Sequence, residues 1–126
     1  MKNLLSILSV LAIFMFVSSS NSQNKNYTST DTEISASVGE QFTITLTSNK
    51  TTGYSWSAGM IADNSQVVVT GVEYKVPSDA KIGQGGEEVW HFKAVATGSV
   101  KIKMYYARPW ENDKPAQEIT YTVTIK

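Results

Sequence analysis

From Ile34 to the end of the chain, apolar residues recur at every second position, and no stretch of useful length carries the three-and-four spacing of a helix. Such alternation sets one side chain against a core and the next in solvent, which predicts an all-β domain. Ile34, Ala36 and Val38 form the first alternating set, closed by Gly39; Phe42, Ile44 and Leu46, interleaved with Thr43, Thr45 and Thr47, form the second. Tyr54 and Trp56 resume the pattern after a polar loop, and Gly59 to Gln66 interrupts it. Val67-Val68-Val69 and the set Val72, Tyr74, Val76 follow, ending at Pro77-Ser78-Asp79, where proline cannot continue a ladder and Ser and Asp favour a turn. The remaining sets are Trp90, Phe92, Ala94, Ala96, then, after the turn at Thr97-Gly98, Val100, Ile102, Met104, Tyr106, and last Ile119, Tyr121, Val123, Ile125.

About seven short strands in about 95 residues fit an immunoglobulin-like antiparallel β-sandwich better than a closed barrel. Three connections have unusual composition. Asn49-Lys50-Thr51-Thr52-Gly53-Tyr54 joins the second strand to the third, Gly83-Gln84-Gly85-Gly86 the fourth to the fifth, and Arg108-Pro109-Trp110 lies between the sixth and the seventh. In a succession of antiparallel strands, alternate connections emerge at the same end. The three loops are therefore expected to share one rim, and function is expected there.

Composition narrows the classes. The 126 residues support one domain, and 41% apolar with 10% aromatic content is enough for an ordinary core. Eleven basic residues balance eleven acidic ones, with no Lys/Arg run of the kind that phosphate binding requires, so nucleic acid is not an expected partner. Lys2, the apolar block Leu4 to Val17 and Ser18-Ser19-Ser20 follow the order of a secretory signal peptide over residues 1–20, with the cut between Ser18 and Gln23. The apolar block is about 14 residues against the roughly 20 of a spanning helix, so no stable membrane anchor is expected. The mature chain is expected outside the cytosol: secreted, periplasmic or in an endomembrane lumen. Residues 21–32, rich in Ser, Asn and Thr, read as a flexible lead into a domain spanning 33–126, expected to be a monomer. No cysteine is present, which excludes disulfides, lipid attachment through cysteine and a thiol nucleophile.

Catalytic supply is thin. His91 is the only histidine, and strand geometry sets Glu87 on its face but about 13 Å away, too far to share an ion without further ligands. It points away from the Trp90 and Phe92 face, reads as a solvent-facing strand residue, and has no nucleophile elbow beside it. The Gly83–Gly86 loop lacks the Lys-Ser/Thr of a P-loop and the helix that would follow. It is either a plain connector or a loop whose missing side chains admit another protein's backbone. Trp110 is either tucked onto the sandwich or displayed; displayed beside Arg108 it would be an interface anchor. Trp56 and Trp90 sit in strand alternation and read as core. No metal or cofactor is implied, and nothing here points to an enzyme.

These three loops make the chain resemble the chagasin family, protein inhibitors of papain-like cysteine peptidases, over about Ile34 to Lys126. The family's Asn-Pro-Thr-Thr-Gly-aromatic stands as Asn49-Lys50-Thr51-Thr52-Gly53-Tyr54, its Gly-x-Gly-Gly as Gly83-Gln84-Gly85-Gly86, and its Arg-Pro-aromatic as Arg108-Pro109-Trp110. The resemblance implies an immunoglobulin-like sandwich and a reversible, non-covalent wedge against a papain-like (cathepsin-like) cysteine peptidase. Thr51, Thr52 and Gly53 would enter the cleft at the catalytic cysteine and histidine, Gly85 and Gly86 would lie along one flank, and Arg108 and Trp110 would grip the other. Lys50 departs from the family's proline; the expected loss of preorganisation is about 0.4–1 kcal/mol unless packing restores it. Lysine there also creates the glycosylation sequon Asn49-Lys50-Thr51, beside Asn26-Tyr27-Thr28. A glycan on Asn49 would obstruct the wedge. The competing reading is a secreted adhesion or carbohydrate-binding module using the same rim, with Tyr54 and Trp110 stacking on a sugar.

Overall fold

The computed structural model describes residues 25–60, 66–112 and 114–126, so the expected signal peptide and its cut lie outside the described residues. Eight strands follow in chain order: β1 (Lys25–Tyr27), β2 (Glu33–Ala36), β3 (Gln41–Ser48), β4 (Ser55–Met60), β5 (Val67–Lys75), β6 (Gly86–Ala94), β7 (Gly98–Ala107) and β8 (Gln117–Ile125). They form two four-stranded sheets, ordered β1-β3-β6-β5 and β2-β8-β7-β4. The alternation seen along the chain is the cause: Phe42, Ile44 and Leu46 from one sheet and Ile102, Met104, Tyr121 and Val123 from the other meet in the space between. Phe42 stacks on Phe92 with ring centroids 5.3 Å apart at the centre of that layer. Burying each such aliphatic or phenyl side chain stabilises the fold by about 1.5–3 kcal/mol, and with no cysteine in the chain packing is what holds the sheets together.

The sandwich is as expected, with differences of detail. Residues 25–32, expected as flexible lead, begin with strand β1. Tyr27 packs edge-on against Phe42 at 6.1 Å, and Tyr121 Oη donates a 2.8 Å hydrogen bond to the Thr28 carbonyl. Not every pairing is antiparallel: β1 runs parallel to β3 and β2 parallel to β8, because the chain crosses from one sheet to the other between β1 and β2. Val38 lies exposed beyond the end of β2, where Ser37 N–H donates to Glu40 Oε1 at 2.8 Å and turns the chain. The valines at 67–69 and 72 belong to the single edge strand β5, bulged between Val69 and Gly71, with Val68, Val69 and Val72 exposed. Trp56 is buried in the core; Trp90 is half-buried and packs against its margin.

Candidate functional site

The loop after β3 is a turn that makes its own hydrogen bonds. Asn49 caps it in an extended conformation (φ −121°, ψ 92°), and its Oδ1 accepts from Thr51 N–H at 3.1 Å and from Thr51 Oγ1 at 2.6 Å. The Asn49 carbonyl accepts from Thr52 N–H at 3.2 Å and Thr52 Oγ1 at 2.6 Å, and Gly53 N–H closes the turn onto the Lys50 carbonyl at 3.0 Å. Gly53 sits at φ +87°, a left-handed conformation open to glycine at little cost. Both threonine hydroxyls therefore serve the turn internally, while their side chains remain exposed. Lys50 is held by Tyr74 of β5: its N–H donates to Tyr74 Oη at 3.3 Å and its ammonium lies 5.1 Å from the ring centre. Packing thus supplies part of the restraint that proline would give.

The three loops expected at one rim come together in direct contact. Asn49 Nδ2 donates to the Gly83 carbonyl at 3.0 Å, tying the first loop to the glycine-rich one. Gly85 passes so close that a Cβ there would stand 2.9 Å from both Asn49 Cβ and the Ser48 carbonyl. Gln84 closes its own loop, exchanging hydrogen bonds with the Lys81 backbone at 2.9 and 3.0 Å. From the third loop, Arg108 Nε donates to the Thr52 carbonyl at 3.0 Å, and its guanidinium lies 4.4 Å over the Tyr54 ring while Nη1 meets Glu111 at 3.2 Å. Arg108, expected to grip a partner, is thereby committed to bracing the first loop. Pro109 is exposed in the turn that Glu111 N–H closes onto the Arg108 carbonyl, and Trp110 is displayed at 68% exposure with one edge against Gly53.

Beneath the rim an aromatic column carries the load of these contacts. Arg108 covers Tyr54, Tyr54 stacks on Tyr106 at 5.1 Å, and Tyr106 meets Trp56 at 4.9 Å, while Tyr106 Oη accepts from Asn49 N–H at 2.9 Å. With its ring engaged by Arg108 and Tyr106, Tyr54 is poorly placed to stack on a sugar. Sequence reasoning missed the supports: Tyr74, Tyr106 and above all Glu88, which is buried. The signal for Glu88 was its phase, since position 88 alternates in register with the inward residues Trp90, Phe92 and Ala94.

Outside the rim, an open polar groove of about 530 Å³ lies on the outer face of β1, β3, β6 and β5, lined by Asn26, Thr43, Thr45, Glu73, Glu87 and His91 among others. His91 faces outward as expected and meets Glu73 at 3.0 Å; that hydrogen bond first, and Lys75 second, hold the Glu73 carboxyl below its ordinary range. Among the described residues, no three His, Asp or Glu side chains are grouped to hold a metal ion. The rim is an edge braced by its own hydrogen bonds, with Lys50, Thr51, Thr52 and Trp110 exposed along it.

Comparison with known proteins bears on the family and the fold. The sequence profile of the "Chagasin family peptidase inhibitor I42" matches residues 35–125. Chagasin of Trypanosoma cruzi is 32% identical over 96 residues, covering 74% of this chain and 86% of the relative. The crystal structure of the cysteine protease inhibitor EhICP2 from Entamoeba histolytica superposes with a TM-score of 0.70 at 23% identity, covering 81% of this chain and 94% of that one. PbICP-C, solved in complex with falcipain-2, superposes with a TM-score of 0.61 at 22% identity, covering 87% and 96%; both likenesses are of fold.

Proposed function

The chain belongs to the chagasin family of peptidase inhibitors, and from that membership we propose that it inhibits papain-like cysteine peptidases reversibly, by seating its three-loop rim in the active-site cleft. Thr51, Thr52 and Gly53 form the wedge that faces the catalytic cysteine and histidine. Gly85 and Gly86 lie along one flank, where their missing side chains make room for Ser48, Asn49 and Lys75 of this chain, and Trp110 anchors the other, with Asn49, Lys50, Tyr54, Gly83, Gln84, Arg108 and Pro109 holding these residues in place. Support comes from the family profile, which is one of peptidase inhibitors, from EhICP2, a cysteine protease inhibitor, and from a fold relative solved in complex with falcipain-2. The observation that carries the reading is the bonding of the three loops to one another, Asn49 to Gly83 and Arg108 to Thr52. A rim braced by its own hydrogen bonds avoids the ordering cost that flexible loops incur on association. The amino-terminal leader reading places this activity outside the cytosol.

The test is titration of papain with the purified mature domain. Inhibition with a constant in the nanomolar range is expected, within reach of an interface of roughly 800 Å² per partner. Full papain activity at micromolar inhibitor would refute the proposal. Because the mechanism involves no bond to the thiol, a Cys-to-Ala peptidase should still form the complex.

A further inference from the structure

Glu88 is the only charged side chain among the described residues that is buried, at 1% exposure. A carboxylate withdrawn from water is strongly unfavourable unless its acceptor positions are filled. Here they are filled by three donors. Oε2 accepts from Ser48 Oγ at 2.7 Å and from the backbone N–H of Trp56 at 3.1 Å, and Oε1 accepts from Trp90 Nε1 at 3.1 Å. An apolar side chain of similar size would fill the space without the cost of desolvation, so packing alone does not account for a glutamate here.

The two partners of Oε2 are the stems of the Lys50–Gly53 turn. Ser48 is the last residue of β3 and Trp56 the second of β4, and these strands lie in opposite sheets, so no ladder hydrogen bond fixes the distance between them. One carboxylate oxygen spans that gap. The other bridge, from Trp56 Nε1 to the Thr47 carbonyl at 2.9 Å, holds the strand by a side chain; Glu88 holds it by the main chain. We propose that Glu88 is a positioning residue that sets the spacing of the two stems and so pre-forms the turn. Its functional consequence rests on the peptidase-inhibitor reading; its structural part does not.

The test compares Glu88→Gln, Ser48→Ala and Trp90→Phe by amide hydrogen exchange at Thr52 and Gly53, whose N–H groups close the turn, and by inhibition of papain. Glu88→Gln should exchange those amides about tenfold faster and raise the inhibition constant by a similar factor, chiefly through slower association, because the competent loop is less populated. Ser48→Ala, which removes one bond to Oε2, should move both readouts the same way by less. Trp90→Phe, which removes only the donor to Oε1, should lower the melting temperature and leave both readouts near the parent. If Glu88→Gln does not fold, Ser48→Ala against Trp90→Phe decides alone. Unchanged exchange in Ser48→Ala and Glu88→Gln would overturn the proposal, as would an equal response from Trp90→Phe. Should the exchange respond as expected while the parent fails to inhibit papain, Glu88 keeps its role and the peptidase reading falls.

Discussion

The six-membered ring of Trp110 rests against Gly53 so closely that a Cβ built on the glycine would overlap indole Cη2. The displayed aromatic of the third loop and the tip of the first are thus one surface, and two separate effects exclude a side chain at position 53. One is the left-handed backbone at φ +87°, which adds about 1 kcal/mol or more for a residue with a Cβ; the other is the indole itself. Gly53→Ala should raise the inhibition constant at least about tenfold, or about 1.4 kcal/mol. In thermal melts of the two single variants and the double, Gly53→Ala should cost less stability once Trp110 is alanine. Strict additivity would show that the ring does not constrain the glycine.

Arg108→Lys keeps the positive charge but loses the Nε donor to Thr52 and the planar group over Tyr54. Inhibition should weaken by about 1–2 kcal/mol, from one lost hydrogen bond and a diminished cation–π contact. Chemical shifts of the Thr51 to Tyr54 amides in the free protein should move as well. A lysine variant that inhibits like the parent would remove Arg108 from the brace.

Lys50→Pro is a substitution the backbone already accommodates, since Asn49 is extended and position 50 opens the turn. The gain of about 0.4–1 kcal/mol from a stiffer unfolded chain is set against the lost N–H bond to Tyr74 and the lost ammonium contact, of similar size. Melting temperature should change little, and Tyr74→Phe should then cost less in the proline background than in the parent. A four-protein melt series checks this.

Tyr121 contributes to the loss of stability at alkaline pH. Burial, and secondarily the negative charge of Asp31, push its phenol up to about 12 from an ordinary 10.0. The native state therefore favours the protonated phenol, and the associated stability is complete below pH 10 and is lost as pH rises towards 12. Tyr121→Phe should flatten the fall in melting temperature across that window. At neutral pH it should lose about 1 kcal/mol with the bond to the Thr28 carbonyl. Parallel melts from pH 7 to 12 decide between these outcomes and indifference to the hydroxyl.

Much of this was legible in the chain. Period-two alternation located Phe42, Ile44, Ile102 and Tyr121 in the core, and strand parity with Gly and Pro chemistry brought the three loops to one rim. What escaped has physical reasons. β1 is three residues long, too short to show a period, and its pairing is decided by Tyr27 against Phe42. Arg108 braces the first loop through a backbone carbonyl 56 residues away, a partner that leaves no mark in composition. Glu88 was overlooked because glutamate beside exposed Glu87 suggests solvent, although its phase with Trp90 and Phe92 pointed inward.

The parallel pairing of β2 with β8 sets Ile34 beside Val123. Strands so far apart in sequence meet only after a long stretch of chain has been ordered, and such contacts slow folding. During synthesis, the sheet that holds β4 and β7 lacks its inner strand until residues 117–125 leave the ribosome. Until then β2 has no partner, and the sandwich stays open along one side. A chain cut short before Gln117 would therefore lack all of β8, expose the apolar inner face of the other sheet and be a substrate for chaperones and proteases.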